Sequence, residues 1–118
     1  MPVHSDDFKD RLSRVSEITI TVIGRKSGRA ISTPIWFVLD DKLYLLPVQG
    51  SDTQWYKNVL KSSNMRIKAG RAEGEFRSVP VTEGSQVASV VEKFRKKYGA
   101  GDVKKYYSKF DVAVVVEI

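Results

Sequence analysis

The stretch ITITVIGRKSGRAISTPIWFVLDDKLYLLPV, residues 18–48, decides the fold of this chain. It begins with β-branched residues in alternation, in which Ile18, Ile20 and Val22 share one face. Such alternation is typical of a strand with one buried face. A turn of glycine and basic residues, residues 24–29, follows, and two more apolar runs come after it. Short apolar runs separated by polar turns predict an antiparallel sheet.

The rest of the chain continues this mixture of strands and helices. Apolar residues at helical spacing predict helices at residues 5–15 and 83–98, and a short helix that carries Trp55, Tyr56, Val59 and Leu60. The predicted strands cover residues 17–23, 30–39, 43–48, 65–69, 74–81 and 112–118. About six strands with two or three helices between them indicate a small antiparallel barrel of the α+β class.

Two sequence features predict where particular strands lie in the sheet. Pro34 cannot donate a backbone hydrogen bond, so its strand should lie at an edge, at a bulge or against a ligand. Residues 112–118 are apolar almost throughout, which predicts a strand in the middle of the sheet or at an interface.

Length and composition set the limits of the fold. At 118 residues and 42% hydrophobic composition, residues 1–118 are long enough for one domain and too short for two. No apolar run approaches the roughly 20 residues of a membrane-spanning helix, and the N-terminus lacks the pattern of a signal peptide. We therefore expect a cytoplasmic protein with no membrane span.

The sequence contains little material for side-chain catalysis. Cysteine is absent, and the only histidine is His4. Without cysteine the chain has no disulfides, thiolate metal sites or cysteine nucleophiles, and one histidine near the terminus is no basis for a His-based metal site or a Ser-His-Asp triad. We therefore expect no bound metal and no hydrolytic triad.

A formal net charge of +6 and a pI of about 9.6 indicate an anionic partner. Nucleic acid, a membrane surface and an anionic cofactor are all compatible with this charge. A basic surface that only keeps the protein soluble is the alternative, above all for the lysine clusters at residues 93–97 and 104–105.

The turn at residues 24–29, Gly-Arg-Lys-Ser-Gly-Arg, is the best candidate for an anion site. Its glycines permit a positive φ, so that successive N–H groups can converge, while Arg25, Lys26, Ser27 and Arg29 add charge and a hydroxyl group. The spacing of the glycines and the strand that follows exclude a Walker phosphate-binding loop. An ordinary hairpin turn remains the alternative.

Three motifs taken together resemble the deazaflavin-dependent nitroreductase family. They are ITITVIGRKSG (residues 18–28), STPIWF (residues 32–37), and Gly50 followed by WYKNVL (residues 55–60). The family belongs to the split β-barrel flavin and deazaflavin oxidoreductases, relatives of pyridoxamine 5′-phosphate oxidase, and its members typically use coenzyme F420. The resemblance implies a split β-barrel of about six mainly antiparallel strands with two to four short helices.

The resemblance also implies which residues contact the cofactor. The basic turn would hold the phosphate, the strand after it would lie against the deazaflavin ring, and two further segments would complete the pocket. The implied cofactor-binding residues are Arg25, Lys26, Ser27, Ile31, Ser32, Thr33, Pro34, Ile35, Trp36, Leu46, Pro47, Val48, Gln49, Gln54, Trp55 and Asn58. No catalytic side chain is implied, because the cofactor itself carries the hydride.

The implied activity is hydride transfer from reduced F420 to an electron-poor small molecule, such as an activated alkene, a quinone or a nitro compound. FMN is the alternative cofactor, since the same turn could hold its phosphate. A non-catalytic protein that binds flavin, deazaflavin or haem is a further alternative. A homodimer is expected, as in the family. A nucleic-acid partner is suggested by charge alone and is not favoured.

The sequence leaves two questions open, one at position 49 and one near the C-terminus. Related proteins commonly have a lysine where this chain has Gln49, so one expected contact with the anion is missing. Three tyrosines near the C-terminus, Tyr98, Tyr106 and Tyr107, would either line a substrate entrance or pack as a lid.

Overall fold

Seven antiparallel strands form one curled sheet in residues 5–118, the part of the chain that this computed structural model describes. The strands are β1 (Ile18–Ile23), β2 (Ala30–Ile35), β3 (Phe37–Leu39), β4 (Leu43–Leu45), β5 (Asn64–Ala69), β6 (Ala72–Val81) and β7 (Ala113–Val116). The helices are α1 (Ser5–Leu12), α2 (Gln54–Lys61), α3 (Gly84–Tyr98) and α4 (Ala100–Tyr106). None of these four helices has the length and apolar character needed to cross a bilayer. The single histidine, His4, lies outside the described residues.

The order of the strands explains why the sheet curls. The order is β2-β1-β5-β6-β7-β4-β3, so β2 and β3 form its two edges. These edges are joined in the chain by Trp36 alone, because β2 ends at Ile35 and β3 begins at Phe37. The two edges therefore meet at Trp36, and the sheet closes into a barrel that is split there. This confirms the α+β split barrel that the sequence predicts.

Both faces of the sheet are covered, which produces two hydrophobic clusters. Inside the curled sheet, alternate strand residues such as Ile20, Leu45 and Ile67 pack with residues of α1 and α2. On the opposite face, α3 and α4 pack through residues such as Phe94 and Val103. The basic turn at residues 24–29 belongs to neither cluster, so it lies at the surface beside α2.

Some predicted boundaries are wrong. Residues 30–39 form two strands instead of one, because the residues before Trp36 pair with β1 and those after it pair with β4. The strand predicted at residues 43–48 ends at Leu45. Helix α3 ends at Tyr98 as expected, but α4 was not predicted; Gly99, with a φ of 94°, leads directly into it.

Two placements are confirmed. Pro34 lies in β2, at one edge of the sheet. An edge strand tolerates a residue without an N–H, because no further strand pairs with its outer side. The last strand, β7, lies between β6 and β4 in the interior of the sheet, as its apolar sequence predicts.

Candidate functional site

The basic turn is closed by its own backbone. Gly24 N donates to Arg29 O at 2.8 Å, and Gly28 N donates to Gly24 O at 2.9 Å. Gly28 has a φ of 70°, in the left-handed region that glycine adopts without strain. The hydroxyl of Ser27 accepts a hydrogen bond from Arg29 N at 3.2 Å. The turn is therefore a defined structure and not simply a flexible connection.

Helix α2 anchors this turn. Asn58 Oδ1, on a buried side chain, accepts from Arg25 N at 3.1 Å and from Arg25 Nη1 at 2.8 Å. Arg25 Nη2 donates to Gln54 Oε1 at 2.9 Å. The structure thus brings together three residues that the sequence analysis assigned to one site from two separate motifs. A guanidinium group has five N–H donors, so Arg25 retains three for a ligand.

The turn also presents donors that no protein group uses. Within residues 5–118, neither Lys26 N nor Ser27 N donates a hydrogen bond. A concavity of about 430 Å³ opens at this turn. Its lining residues are Ile23, Gly24, Arg25, Lys26, Ser27, Gly28, Lys61 and Ser62. Adjacent free N–H groups beside cationic side chains are the usual components of an anion site.

The positive charge of the turn is not neutralised. Among the described residues, no carboxylate forms an ion pair with Lys26, Arg29 or Lys61. By contrast, Lys109 Nζ lies 3.3 Å from Asp52 Oδ2 and 3.6 Å from Asp111 Oδ2. Unpaired cations around free N–H donors leave this surface with a positive potential that attracts anions.

The candidate residues of β2 differ in their surroundings. The hydroxyl groups of Ser32 and Thr21 share a hydrogen bond of 2.8 Å across the β1–β2 pair. Ile31 and Pro34 are exposed, Thr33 is half-buried, and Ile35 is buried in the barrel interior. The exposed part of this edge strand therefore starts at the basic turn, and the strand enters the core only at its end.

Trp36 forms the centre of an aromatic stack. Its ring lies 4.2 Å from the Tyr98 ring at an interplanar angle of 10°, and 4.7 Å from the Tyr106 ring at 14°. Tyr107 packs edge-on against it at 6.2 Å. Both flat faces of Trp36 are covered by tyrosine rings. In this structure the C-terminal tyrosines therefore pack as a lid on Trp36.

Polar groups of α3 hold the backbone next to this stack. Tyr98 Oη accepts from Phe37 N at 3.1 Å, and Lys97 Nζ donates to Phe37 O at 2.7 Å. Lys97 Nζ also lies 3.6 Å from the centre of the Phe37 ring. Burial raises the pKa of Tyr98 and lowers the pKa of Lys97 to about 8. These contacts fix the chain where the barrel is split.

The remaining candidates, apart from Gln49, are buried or half-buried residues that pack in the core. Leu46 and Pro47 are buried, Val48 is half-buried, and Trp55 belongs to the cluster inside the barrel. Gln49 is exposed and lies beside Lys109, to which it is linked by an isolated parallel bridge. Because Lys109 is paired with two carboxylates, it does not restore the positive charge that is absent at position 49.

The sequence analysis missed Lys61. This residue ends α2, and its Nζ donates to Arg25 O at 3.0 Å. A signal was present, because Gln54, Asn58 and Lys61 have the i, i+4, i+7 spacing of one helix face. The face that holds the basic turn therefore contributes a third polar residue.

The fold and this anchored turn define the chain as a split β-barrel protein with a candidate anion site. The chain belongs to the family described as "Uncharacterized protein conserved in bacteria (DUF2255)", whose model matches residues 9–117. A comparison with curated proteins finds no match.

Solved structures share the fold at low sequence identity. An F420-H2 dependent reductase (FDR-A) is 18% identical with a TM-score of 0.67, over 86% of this chain and 94% of that one. A protein described as a domain-swapped dimer is 16% identical with a TM-score of 0.68, over 96% and 98% of the two chains. HutZ, a heme storage protein from Vibrio cholerae, is 11% identical with a TM-score of 0.71, over 99% and 90%.

Proposed function

We propose that this protein binds coenzyme F420 and uses it to transfer hydride to an electron-poor small molecule, such as an activated alkene, a quinone or a nitro compound. One observation carries the proposal. The basic turn is fixed to α2 by Arg25, Gln54 and Asn58, and it presents free N–H groups and unpaired cations to solvent. F420 carries a phosphate and an acidic tail, which such a surface complements.

The residues of the turn fit the anionic part of this cofactor. Lys26 N and Ser27 N can each donate to a phosphate oxygen, and the Ser27 hydroxyl still has its own hydrogen to donate. Arg25 retains three N–H donors after its contacts with α2. In this proposal Asn58 and Gln54 position Arg25, while Lys26 and Ser27 contact the phosphate directly.

The rest of the site would orient the ring of the cofactor. When bound, F420 supplies the hydride, so the protein needs no nucleophile of its own. The exposed part of β2, with Ile31 and Pro34, offers an apolar edge that begins at the basic turn. Trp36 follows the far end of this strand, where the rings of Tyr98 and Tyr106 stack on it.

A role in cofactor storage is the second candidate, because HutZ, with the same fold, is a heme storage protein. A fold does not determine a reaction, so the site must distinguish the two. A carboxylate-bearing ligand such as haem would also find cations at the turn. Storage predicts tight binding without turnover, whereas a reductase consumes reduced cofactor when an acceptor is added.

We also propose a homodimer, supported by the domain-swapped dimer that shares this fold. A dimer interface could bury the exposed apolar side chains near the turn, which are Ile23, Ile31 and Leu60. Light scattering on the purified protein tests this directly, and a monomeric mass at high micromolar concentration would contradict it.

The decisive experiment is a parallel titration of the apo-protein with F420, FMN and haem, followed by tryptophan fluorescence. We expect the tightest binding for F420, weakened by salt and by Lys26→Ala but not by Lys42→Ala, because Lys42 lies beside Glu117 next to the β4–β7 pair and not at the turn. Reduced F420 should then be oxidised when a quinone or a nitro compound is added. Preference for FMN would identify a flavin protein of the same fold, and binding of haem alone would indicate storage.

A further inference from the structure

The anion site implied by the family resemblance has a lysine after the third predicted strand, and this chain has Gln49 there. Lys109, which lies beside Gln49, is paired with Asp52 and Asp111, so its charge is largely offset. The turn itself supplies Arg25, Lys26 and Arg29, and a further cation beside them would add a charge-assisted hydrogen bond to a phosphate oxygen. Position 49 does not supply this further cation, so it would have to come from another residue.

Lys61 meets this requirement. It is exposed, it lines the same concavity as Lys26, and it forms no ion pair with a described residue. Its Nζ donates to Arg25 O at 3.0 Å, which places the ammonium group at the base of the turn. An ammonium group has three donors, so two remain for a ligand.

The position of Lys61 is also set in advance. Lys61 follows Asn58 by one helical turn, and Asn58 holds both the backbone and the side chain of Arg25. These hydrogen bonds fix the turn to the helix that carries Lys61, and they hold the Lys61 ammonium group on Arg25 O, at the peptide that precedes Lys26. Little ordering is required when the anion binds, which favours affinity.

We infer that Lys61 supplies a further cation of the anion site, so that the phosphate lies on the α2 side of the turn, between the side chains of Lys26 and Lys61. The inference rests on the proposed function for the identity of the cofactor. The phosphate contact itself can be tested without the cofactor. Ser62, which also lines the concavity, offers a hydroxyl group to the same ligand.

The test uses inorganic phosphate as the probe and amide NMR spectra as the readout, at constant ionic strength. In the wild type we expect phosphate to shift the amide signals of Lys26 and Ser27. Lys61→Met keeps the aliphatic stem but removes the ammonium group, and it should weaken phosphate binding about tenfold. Lys61→Arg should restore most of the affinity, because a guanidinium group also donates to oxyanions.

Lys105→Met is the matched control, because Lys105 is likewise an exposed lysine in the last turn of a helix, α4. It changes the net charge equally and should leave phosphate affinity within twofold of the wild type. Equal losses in Lys61→Met and Lys105→Met would overturn the inference, since they would indicate a general charge effect. Unchanged affinity in Lys61→Met would also overturn it.

Titration of F420 into the same variants separates this inference from the proposed function. If wild-type protein binds F420 and Lys61→Met binds it equally well, the inference fails and the proposed function stands. If phosphate binding depends on Lys61 but F420 does not bind, the proposed function fails and the anion site stands. Thermal unfolding of each variant shows whether a loss of binding reflects a loss of fold.

Discussion

Strand β2 begins at a polar turn and ends at a stack of aromatic rings, and the two ends are held in different ways. The first end is anchored by hydrogen bonds from Arg25 to α2, and its N–H groups and lysines remain free. The second end is held by contacts of Trp36 with Tyr98 and Tyr106, and both faces of the ring are covered. The hydrogen-bond donors and positive charges at the first end are therefore free to bind a ligand, whereas the ring of Trp36 at the second end is already in contact with other rings of the protein.

The difference shows how one strand can serve two purposes. Hydrogen bonds to the side chain of Arg25 fix the turn while its outward-facing donors stay solvated. Ring stacking at Trp36 removes apolar surface from water and leaves little for a ligand to contact. If this comparison is right, changes at the two ends should affect stability and anion binding separately.

The largest effect should come from Trp36→Ala. Loss of the ring removes its stacking with two tyrosines, and we expect the free energy of unfolding to fall by about 3 kcal/mol. Urea denaturation measures this loss. Phosphate binding at the turn should stay within twofold of the wild type, and Trp36→Phe should recover part of the stability. A parallel loss of phosphate binding would show that the two ends are coupled.

Asn58→Ala should have the next largest effect. The buried amide oxygen accepts two hydrogen bonds from Arg25, one of them from a charged group. Its removal should lower the free energy of unfolding by about 2 kcal/mol and release the turn from α2.

Anion binding should weaken in Asn58→Ala as well, because the turn must then be ordered by the ligand. Asn58→Asp is the control, since a carboxylate retains the acceptor for Arg25. Calorimetric titration with phosphate measures the affinity. Full affinity in Asn58→Ala would mean that the turn keeps its shape without the helix.

Gly28→Ala tests the turn alone. Its φ of 70° is unfavourable for a residue with a Cβ atom, although the added atom would meet nothing within 4 Å. We expect a loss of about 1 kcal/mol in the free energy of unfolding. Gly84→Ala is the control, because that site is equally open and has no positive φ. A neutral Gly28→Ala would show that the turn tolerates another conformation.

The smallest effect concerns Lys97, beside the stack. Because burial lowers its pKa from 10.5 to about 8, the unfolded chain binds more protons than the folded protein between these values. Stability should therefore rise slightly as the pH increases from 8 towards 10.5. Lys97→Met should reduce this rise, as measured by urea denaturation at pH 7.5 and pH 10. An unchanged slope would mean that the ammonium group is well solvated.

Much of the fold was predictable, because the hydrophobic pattern of a strand depends on nearby residues. The alternation of Ile18, Ile20 and Val22 predicts β1 and its buried face correctly. The division of residues 30–39 was not predictable in this way. Residues on both sides of Trp36 have strand-like sequences, and only their different partners, β1 and β4, separate them.

The candidate site shows the same distinction. The motif with Arg25 and the segment with Gln54 and Asn58 were assigned to one site by resemblance, and hydrogen bonds join them in the structure. Lys61 was missed although it shares a helix face with Gln54 and Asn58, because only the tertiary contact with Arg25 O shows that this face holds the turn. Contact of the assigned residues with a cofactor stays a prediction, as does the extent of the domain over residues 1–118.

By itself, the sequence determined the class of fold, the basic turn and the absence of cysteine chemistry, because these follow from composition and short-range pattern. Only the tertiary structure decided that the sheet closes at Trp36 and that α2 holds the turn. It also decided which lysines are neutralised by carboxylates and which remain free. These outcomes depend on contacts between residues far apart in the chain, and such contacts leave no local pattern from which they can be predicted.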